Sequence, residues 1–219
     1  MCGRLSLSAP NHRAAAVLLA DAVPGFEVEG LSQWLARSDY RPRYNVGPSQ
    51  DHWVVRARGG RAILDRGTFG LRSEARPGKP SKLVINARAE TVATTPLFRA
   101  SFVRGRCLIP ADGFFEWERR DGQRQPWWFH RDDGKALLFA AVLEPPGFSI
   151  ITVPAGPQLR GIHERMPAII EADAVTDWLG GDPPRAHELL RTTDLALASM
   201  QVSPRFNSLT HDAAIEQIG

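Results

Sequence analysis

Arg106-Cys-Leu-Ile-Pro-Ala-Asp-Gly-Phe-Phe-Glu-Trp-Glu-Arg-Arg-Asp-Gly-Gln-Arg-Gln-Pro-Trp-Trp-Phe-His-Arg-Asp-Asp-Gly-Lys-Ala-Leu-Leu-Phe-Ala-Ala-Val-Leu143 is the stretch that decides the fold. Within it Arg106 to Ile109, Phe114 to Arg119, Trp127 to His130 and Ala136 to Leu143 are apolar and aromatic runs of strand length. Asp121-Gly122 and Asp133-Gly134 separate the last three, and such pairs mark tight hairpin turns. Successive strands joined this closely predict antiparallel pairing.

Upstream, Arg4 to Ser8 alternates Leu5 and Leu7 with polar residues, a strand of period two. Pro10-Asn11 opens a helix over His12 to Ala20, which Pro24 and Gly25 stop. A short helix is expected over Leu31 to Ala36. Arg41 to Pro48 holds two prolines and a glycine, so it is expected to be an ordered loop. His52 to Arg58 and Arg61 to Gly67 read as a hairpin turned by Gly59-Gly60. A Pro/Gly/Lys-rich loop is expected from Arg76 to Ser81, and then Leu83-Val84-Ile85 as a short strand delivering Asn86. Downstream, Phe148 to Val153 adds a strand, and Ala172 to Leu179 and Arg185 to Arg191 read as helices. No repeat, low-complexity tail or linker interrupts the chain. Residues 1–219 therefore read as a single α+β domain with a largely antiparallel, strongly curved, barrel-like sheet flanked by short helices.

Composition narrows the class. Hydrophobic residues make up 43% and charged residues 23% of the 219, ordinary for a globular protein. No apolar run is long enough to span a bilayer, and the start lacks a signal-peptide pattern, so a cytoplasmic location is expected. The two cysteines, Cys2 and Cys107, form neither a disulfide framework nor a CxxC metal pair. Cys107 lies between Arg106 and Leu108 on a strand and reads as core. The net charge of +3 is too mild to establish nucleic-acid binding, although arginines gathered on one face would suit it.

Four residues stand where polar chemistry needs a reason. Cys2 has a small side chain, so loss of Met1 is expected, leaving a cysteine with a free α-amine beside its thiol. The amine titrates near 7.7–8.0 and the thiol near about 8.5, so both are partly nucleophilic at neutral pH. A 1,2-aminothiol condenses with an aldehyde, first to an imine and then to a thiazolidine. Glu116 lies among Phe115 and Trp117. Alternation would turn it to solvent, whereas an inward position would raise its pKa and make it a proton donor. Asn86 alone is as consistent with a turn or cap, and His163 alone with a structural histidine.

In order and rough spacing, Met1-Cys-Gly-Arg4, Tyr44-Asn-Val-Gly-Pro48, Asn86-Ala-Arg-Ala-Glu-Thr91, Arg106 to Trp117, His163-Glu-Arg-Met-Pro167 and Val202-Ser-Pro-Arg-Phe-Asn207 together resemble the SRAP (SOS response-associated peptidase) family. The likeness runs from residue 2 to about Asn207. It implies a monomeric protein that binds single-stranded DNA containing abasic sites and crosslinks itself to them, using no metal and no organic cofactor. By the same resemblance Cys2, Asn86, Glu116 and His163 are the catalytic set. Cys2 supplies both thiazolidine atoms, Asn86 holds amine and sugar in register, Glu116 moves protons at the amine and His163 protonates the sugar ring oxygen. Gly3, Arg4, Asn45, Phe69, Arg88, Thr91, Thr152 and Arg165 are its implied DNA-binding residues, with Arg4, Arg88 and Arg165 as phosphate clamps. Self-removal of Met1 and a lyase-type reversal of the crosslink are implied activities. One departure concerns stacking on bases. The family usually has Trp-Gly-Leu, a proline and a second tryptophan where this chain has Phe69-Gly-Leu-Arg-Ser-Glu74. Two other classes remain open at the sequence level: an N-terminal-nucleophile thiol hydrolase (peptidase or glutamine amidase), and a single-strand DNA binder that forms no covalent bond.

Overall fold

The computed structural model describes residues 2–75 and 80–218; of the loop expected at Arg76 to Ser81, residues 76–79 lie outside them. The chain opens with strand β1 (Arg4–Leu7), followed by helices α1 (His12–Ala22) and α2 (Val28–Arg37). Asn11 starts α1 by accepting the Ala14 amide at its side chain, the ordinary N-cap of a helix. Strands β2 (Arg43–Val46), β3 (Asp51–Arg58) and β4 (Arg61–Phe69) come next. Gly59 and Gly60 turn β3 into β4 with φ of 58° and 74°, values that glycine adopts without strain.

Short strands β5 (Leu71–Arg72), β6 (Leu83–Val84) and β7 (Asn86–Arg88) lead to helix α3 (Arg99–Arg104). The deciding block then forms β8 (Arg106–Ala111), β9 (Gly113–Arg120), β10 (Gln123–Arg131) and β11 (Leu137–Glu144). The chain finishes with β12 (Gly147–Pro154), α4 (Pro157–Arg160), β13 (Arg165–Pro167), α5 (Val175–Gly180), α6 (Pro183–Glu188) and β14 (Leu197–Gln201).

Strands β11, β8, β3, β4 and β12 pair in that order, and β12 pairs back onto β11, closing a small barrel. Among the described residues only the β4–β12 and β7–β12 contacts are parallel. A second sheet runs β14-β10-β9-β1-β2, entirely antiparallel. The chain crosses between the sheets at Asp112. Its carboxylate takes the Ser6 hydroxyl at 2.5 Å and the Ser8 hydroxyl at 2.7 Å, tying the crossover to the end of β1. The core holds Phe69, Phe114, Phe129, Phe139, Phe148 and Trp178, and Cys107 is fully buried in it. Buried Arg106 bonds the carbonyls of Phe102, Trp178 and Gly181, so one guanidinium anchors α3 and α5 to the barrel.

The expected loop at Arg41 to Pro48 contains β2. Its prolines exclude helix but sit outside residues 43–46, where the backbone is free to pair with β1 at Leu5↔Val46 and Leu7↔Arg43. Helix α3 and strand β14 were not legible. The second expected C-terminal helix, Arg185 to Arg191, starts earlier, because Asp182 caps it by accepting the Arg185 amide. Gly113 begins β9 against His130, and a Cβ there would run into the Trp128 indole nitrogen and the Phe129 carbonyl. Gly113→Ala is therefore expected to destabilise the fold by about 1–3 kcal/mol, as overpacking does, read as a lower denaturant midpoint.

Candidate active site

Strand β1 is pinned between β9 and β2, with Arg4 opposite Phe115 and Leu5 opposite Phe114. Continuing that ladder by one residue sets Gly3 beside Glu116 and brings the start of the chain onto the carboxylate. Cys2 is fully buried, its Sγ 3.8 Å from the Arg4 carbonyl. The Cys2 carbonyl accepts a hydrogen bond from Asn86 Nδ2 at 3.0 Å. Asn86 reaches it from β7, which β12 holds in parallel register with Asn86 beside Ile150. The Oδ1 of Asn86 is buried and has no hydrogen-bond partner among the described residues.

Glu116 is 1% exposed, so the inward reading of the sequence holds. Burial is the main cause that pushes its carboxyl up to about 7, against the opposing pull of the amino-terminal charge, the Trp117 amide and Arg124. Burial also raises the Cys2 thiol, and the Glu116 charge raises it further. His163 follows α4, and its Nδ1 lies 3.0 Å from the Arg165 amide and 3.2 Å from the Arg165 carbonyl, so the backbone of Arg165 orients the ring through that nitrogen. Burial, then the amino-terminal charge, lower its pKa. Cys2, Asn86, Glu116 and His163 thus converge on the beginning of the chain. They do not line the cleft of about 750 Å³ that Arg41, Arg43, His52, Trp53 and Arg66 border elsewhere. Among the described residues, no group of three or more His, Cys, Asp or Glu is placed to hold a metal, and no helix is long and apolar enough to cross a membrane.

The expected DNA-binding residues divide. Arg88 and Thr91 are exposed at and just after β7, and Gly3 is half-buried. Arg4 shares its face of the sheet with Phe115. Its guanidinium donates to Asn45 Oδ1 at 2.9 Å and to the carbonyls of Phe206 at 3.0 Å and Asn207 at 3.3 Å. Asn45 is buried and spends its amide on the carbonyls of Ser208 and His211. These two residues strap the segment from Pro204 to Asp212 over the start of β1. Gly47 leaves the room in which Arg4 and Leu209 pass. Arg165 grips Glu90 with both arms of its fork, at 2.5 and 2.9 Å, and bonds the Thr152 carbonyl at 2.6 Å.

Phe69, Thr152 and Asn45 differ from the exposed residues of that set in being buried. Phe69 is fully buried and stacks on Phe148 with ring centres 5.2 Å apart, so it offers no face to a base. Thr152 is fully buried in β12, its hydroxyl 3.4 Å from the Ala87 carbonyl. Asn45 has its amide inside the strap. Sequence reasoning passed over Glu90, although it lies within the quoted Asn86 to Thr91 motif. It also passed over Trp117, whose ring carries Arg4 at 5.6 Å and Arg124 at 5.1 Å.

A family model described as SOS response associated peptidase (SRAP) matches residues 1–209. "Abasic site processing protein YoqW" of Bacillus subtilis (strain 168) is 32% identical over 223 residues, covering 95% of this chain and 95% of that one. "Abasic site processing protein YedK" of Escherichia coli (strain K12) is 31% identical over 193 residues, 82% of this chain and 79% of that one. A crystal structure of a Bacteroides thetaiotaomicron protein superposes with a TM-score of 0.74 at 22% identity, covering 96% of this chain and 97% of that one, a likeness of fold.

Proposed function

The chain belongs to the SOS response associated peptidase family, and from that membership we propose that it processes abasic sites in single-stranded DNA by forming a covalent crosslink through Cys2. The observation that carries the reading is the placement of Cys2. Its backbone is held by Asn86, and beside it stands a buried carboxyl that titrates near neutrality. Relatives named for abasic site processing support the substrate.

Removal of Met1 by hydrolysis, catalysed at this same site, frees the Cys2 amine. His163 gives a proton to the ring oxygen of the abasic deoxyribose as the C1′–O bond breaks and the C1′ hydroxyl proton leaves, yielding the aldehyde. The amine adds to C1′ to form a carbinolamine. Glu116, protonated below about pH 7, donates to the departing hydroxyl. Water leaves, the remaining N–H proton passes to the Glu116 carboxylate, and an imine remains. The thiol S–H then adds across the imine, sulfur to carbon and proton to nitrogen, and the ring closes. The net reaction loses one water. Asn86 fixes the Cys2 carbonyl throughout, and its open Oδ1 is available to accept from the amine or a sugar hydroxyl. The reverse sequence, through the same states, is the lyase-type release.

Arg88 is the exposed arginine nearest this chemistry along the chain and is the phosphate contact of the reading. Arg165 meets a phosphate by exchanging or sharing Glu90. If His163 serves the sugar and Glu116 the amine, their variants differ. His163→Ala is expected to slow crosslinking to a closed abasic sugar by roughly 10²-fold, yet to react near normally with a small open aldehyde. Single-turnover rates on the two electrophiles check this, and equal defects on both would remove the division of roles.

A further inference from the structure

Beyond Glu116, β9 runs out to a hairpin tip whose charges have no assigned use. Arg119, Arg120 and Arg124 are all exposed there, and among the described residues no carboxylate pairs with their guanidinium groups. The acidic residues nearby are Glu118, which accepts the Trp127 indole N–H at 3.1 Å, and Asp121 in the turn itself. Arg205 adds a fourth exposed arginine from the strap, where Asn207 bonds the Arg124 carbonyl at 3.2 Å and packs this segment onto β10. The tip is electrically joined to the site, since the charge of Arg124 acts on both Glu116 and Arg4.

We propose that the tip of the β9–β10 hairpin, through Arg119, Arg120 and Arg124, binds the phosphodiester backbone of the single strand flanking the crosslinked residue. Arginines without a carboxylate partner, gathered at the end of one hairpin, suit a polyanion, because each neutralised phosphate releases counterions. The large exposed hydrophobic residues, Val17, Trp34 and Val103, all lie off this hairpin, so the patch offers neither an apolar anchor for a bilayer nor the core of a protein interface. Its reach also fits. Arg119 and Arg120 lie three and four residues beyond Glu116, roughly 10–14 Å along a strand at about 3.4 Å per residue. That distance spans about three or four phosphates at the roughly 3.4 Å per-strand spacing of stacked DNA.

This inference rests on the proposed single-strand binding but not on the crosslink, and undamaged DNA tests it. Wild type, the Arg119→Gln/Arg120→Gln/Arg124→Gln triple variant and the Arg119→Gln/Arg120→Gln double variant, which leaves the Arg124–Trp117 contact alone, are titrated with short and long oligothymidylates over a salt series. On the long strand the slope of log affinity against log salt is expected to shrink by roughly 2 in the triple and 1.4 in the double, about 0.7 per contact. A strand too short to span site and hairpin should show no such change. An unchanged slope on the long strand, or an equal loss on the short one, would overturn the proposal. Wild type that crosslinks abasic DNA while the variants keep its slope would remove the hairpin alone. A hairpin-dependent slope without any adduct would remove the crosslinking reading alone, and wild type that binds no single strand would remove both.

Discussion

Cys2→Ala is expected to abolish every denaturation-stable adduct that forms with an abasic single strand in the absence of reductant, while an imine that borohydride can trap persists. The amine survives the substitution and the sulfur does not. The order of events follows from the site's electrostatics. Burial, reinforced by the Glu116 charge, raises the thiol pKa, so sulfur is held as S–H and the amine attacks first. Sulfur enters only when an imine carbon is presented to it. Because Cys2 packs in the main core, the substitution also removes a small buried group, at a cost of about 1 kcal/mol. That loss is too small to account for complete loss of adduct. Denaturing gels of matched, folded samples with and without borohydride check the prediction.

Glu116→Gln has the second large expected effect, roughly 10²–10⁴-fold in crosslinking rate, and it falls on closed sugars and open aldehydes alike. Its pH signature follows from the carboxyl's position near 7. The amine must be neutral, which favours pH above about 7.7–8.0, while the acid must keep its proton, which favours pH below about 7. The wild-type profile is therefore a bell centred between those limits. The Gln variant loses the alkaline limb and follows amine deprotonation alone. Stability moves the other way. A folded pKa raised above the unfolded value of about 4.3 gives stability that is full below that value and lost as pH rises through 7. Glu116→Gln is therefore expected to be the more stable protein above neutrality, by up to a few kcal/mol. Its denaturant midpoint should stay flat from about pH 5 to 8 where the wild type falls.

The β9–β10 hairpin and the Gly59-Gly60 turn were legible because the information is local: apolar runs of strand length, broken by residues that adopt positive φ. The turn at Asp133-Gly134 is a correction, since it carries the chain from one sheet to the other and leaves β10 paired with β9 and β14 and β11 with β8 and β12. The inward aim of Glu116 was not legible. Alternation puts Phe115 and Glu116 on opposite faces, but both faces of β9 are covered, one by the barrel core and the other by Val202 and Phe206 from the far end of the chain. Nothing within residues 113–120 announces that second cover. Arg4 was expected at a phosphate because it stands two residues from Cys2. Register with Phe115 puts it, half-buried, on the face under the strap. Phe69 resembled a stacking position by motif, yet β4 delivers it into the barrel against Phe148. Strand β14 went unread because its partner, β10, lies some seventy residues earlier, from Trp127↔Gln201 to Arg131↔Leu197. Helix α3 has no side-chain cap at its start, and its end is held by Arg106, which reaches back to the Phe102 carbonyl.

The most direct test of the account is the intact mass of the wild-type protein after incubation with a single strand carrying one abasic site, measured under denaturing conditions without reductant. The account predicts one new species, equal to the chain lacking Met1 plus the DNA less one water, with the link mapped to Cys2. An active protein that retains Met1, or an adduct on any residue other than Cys2, would contradict it.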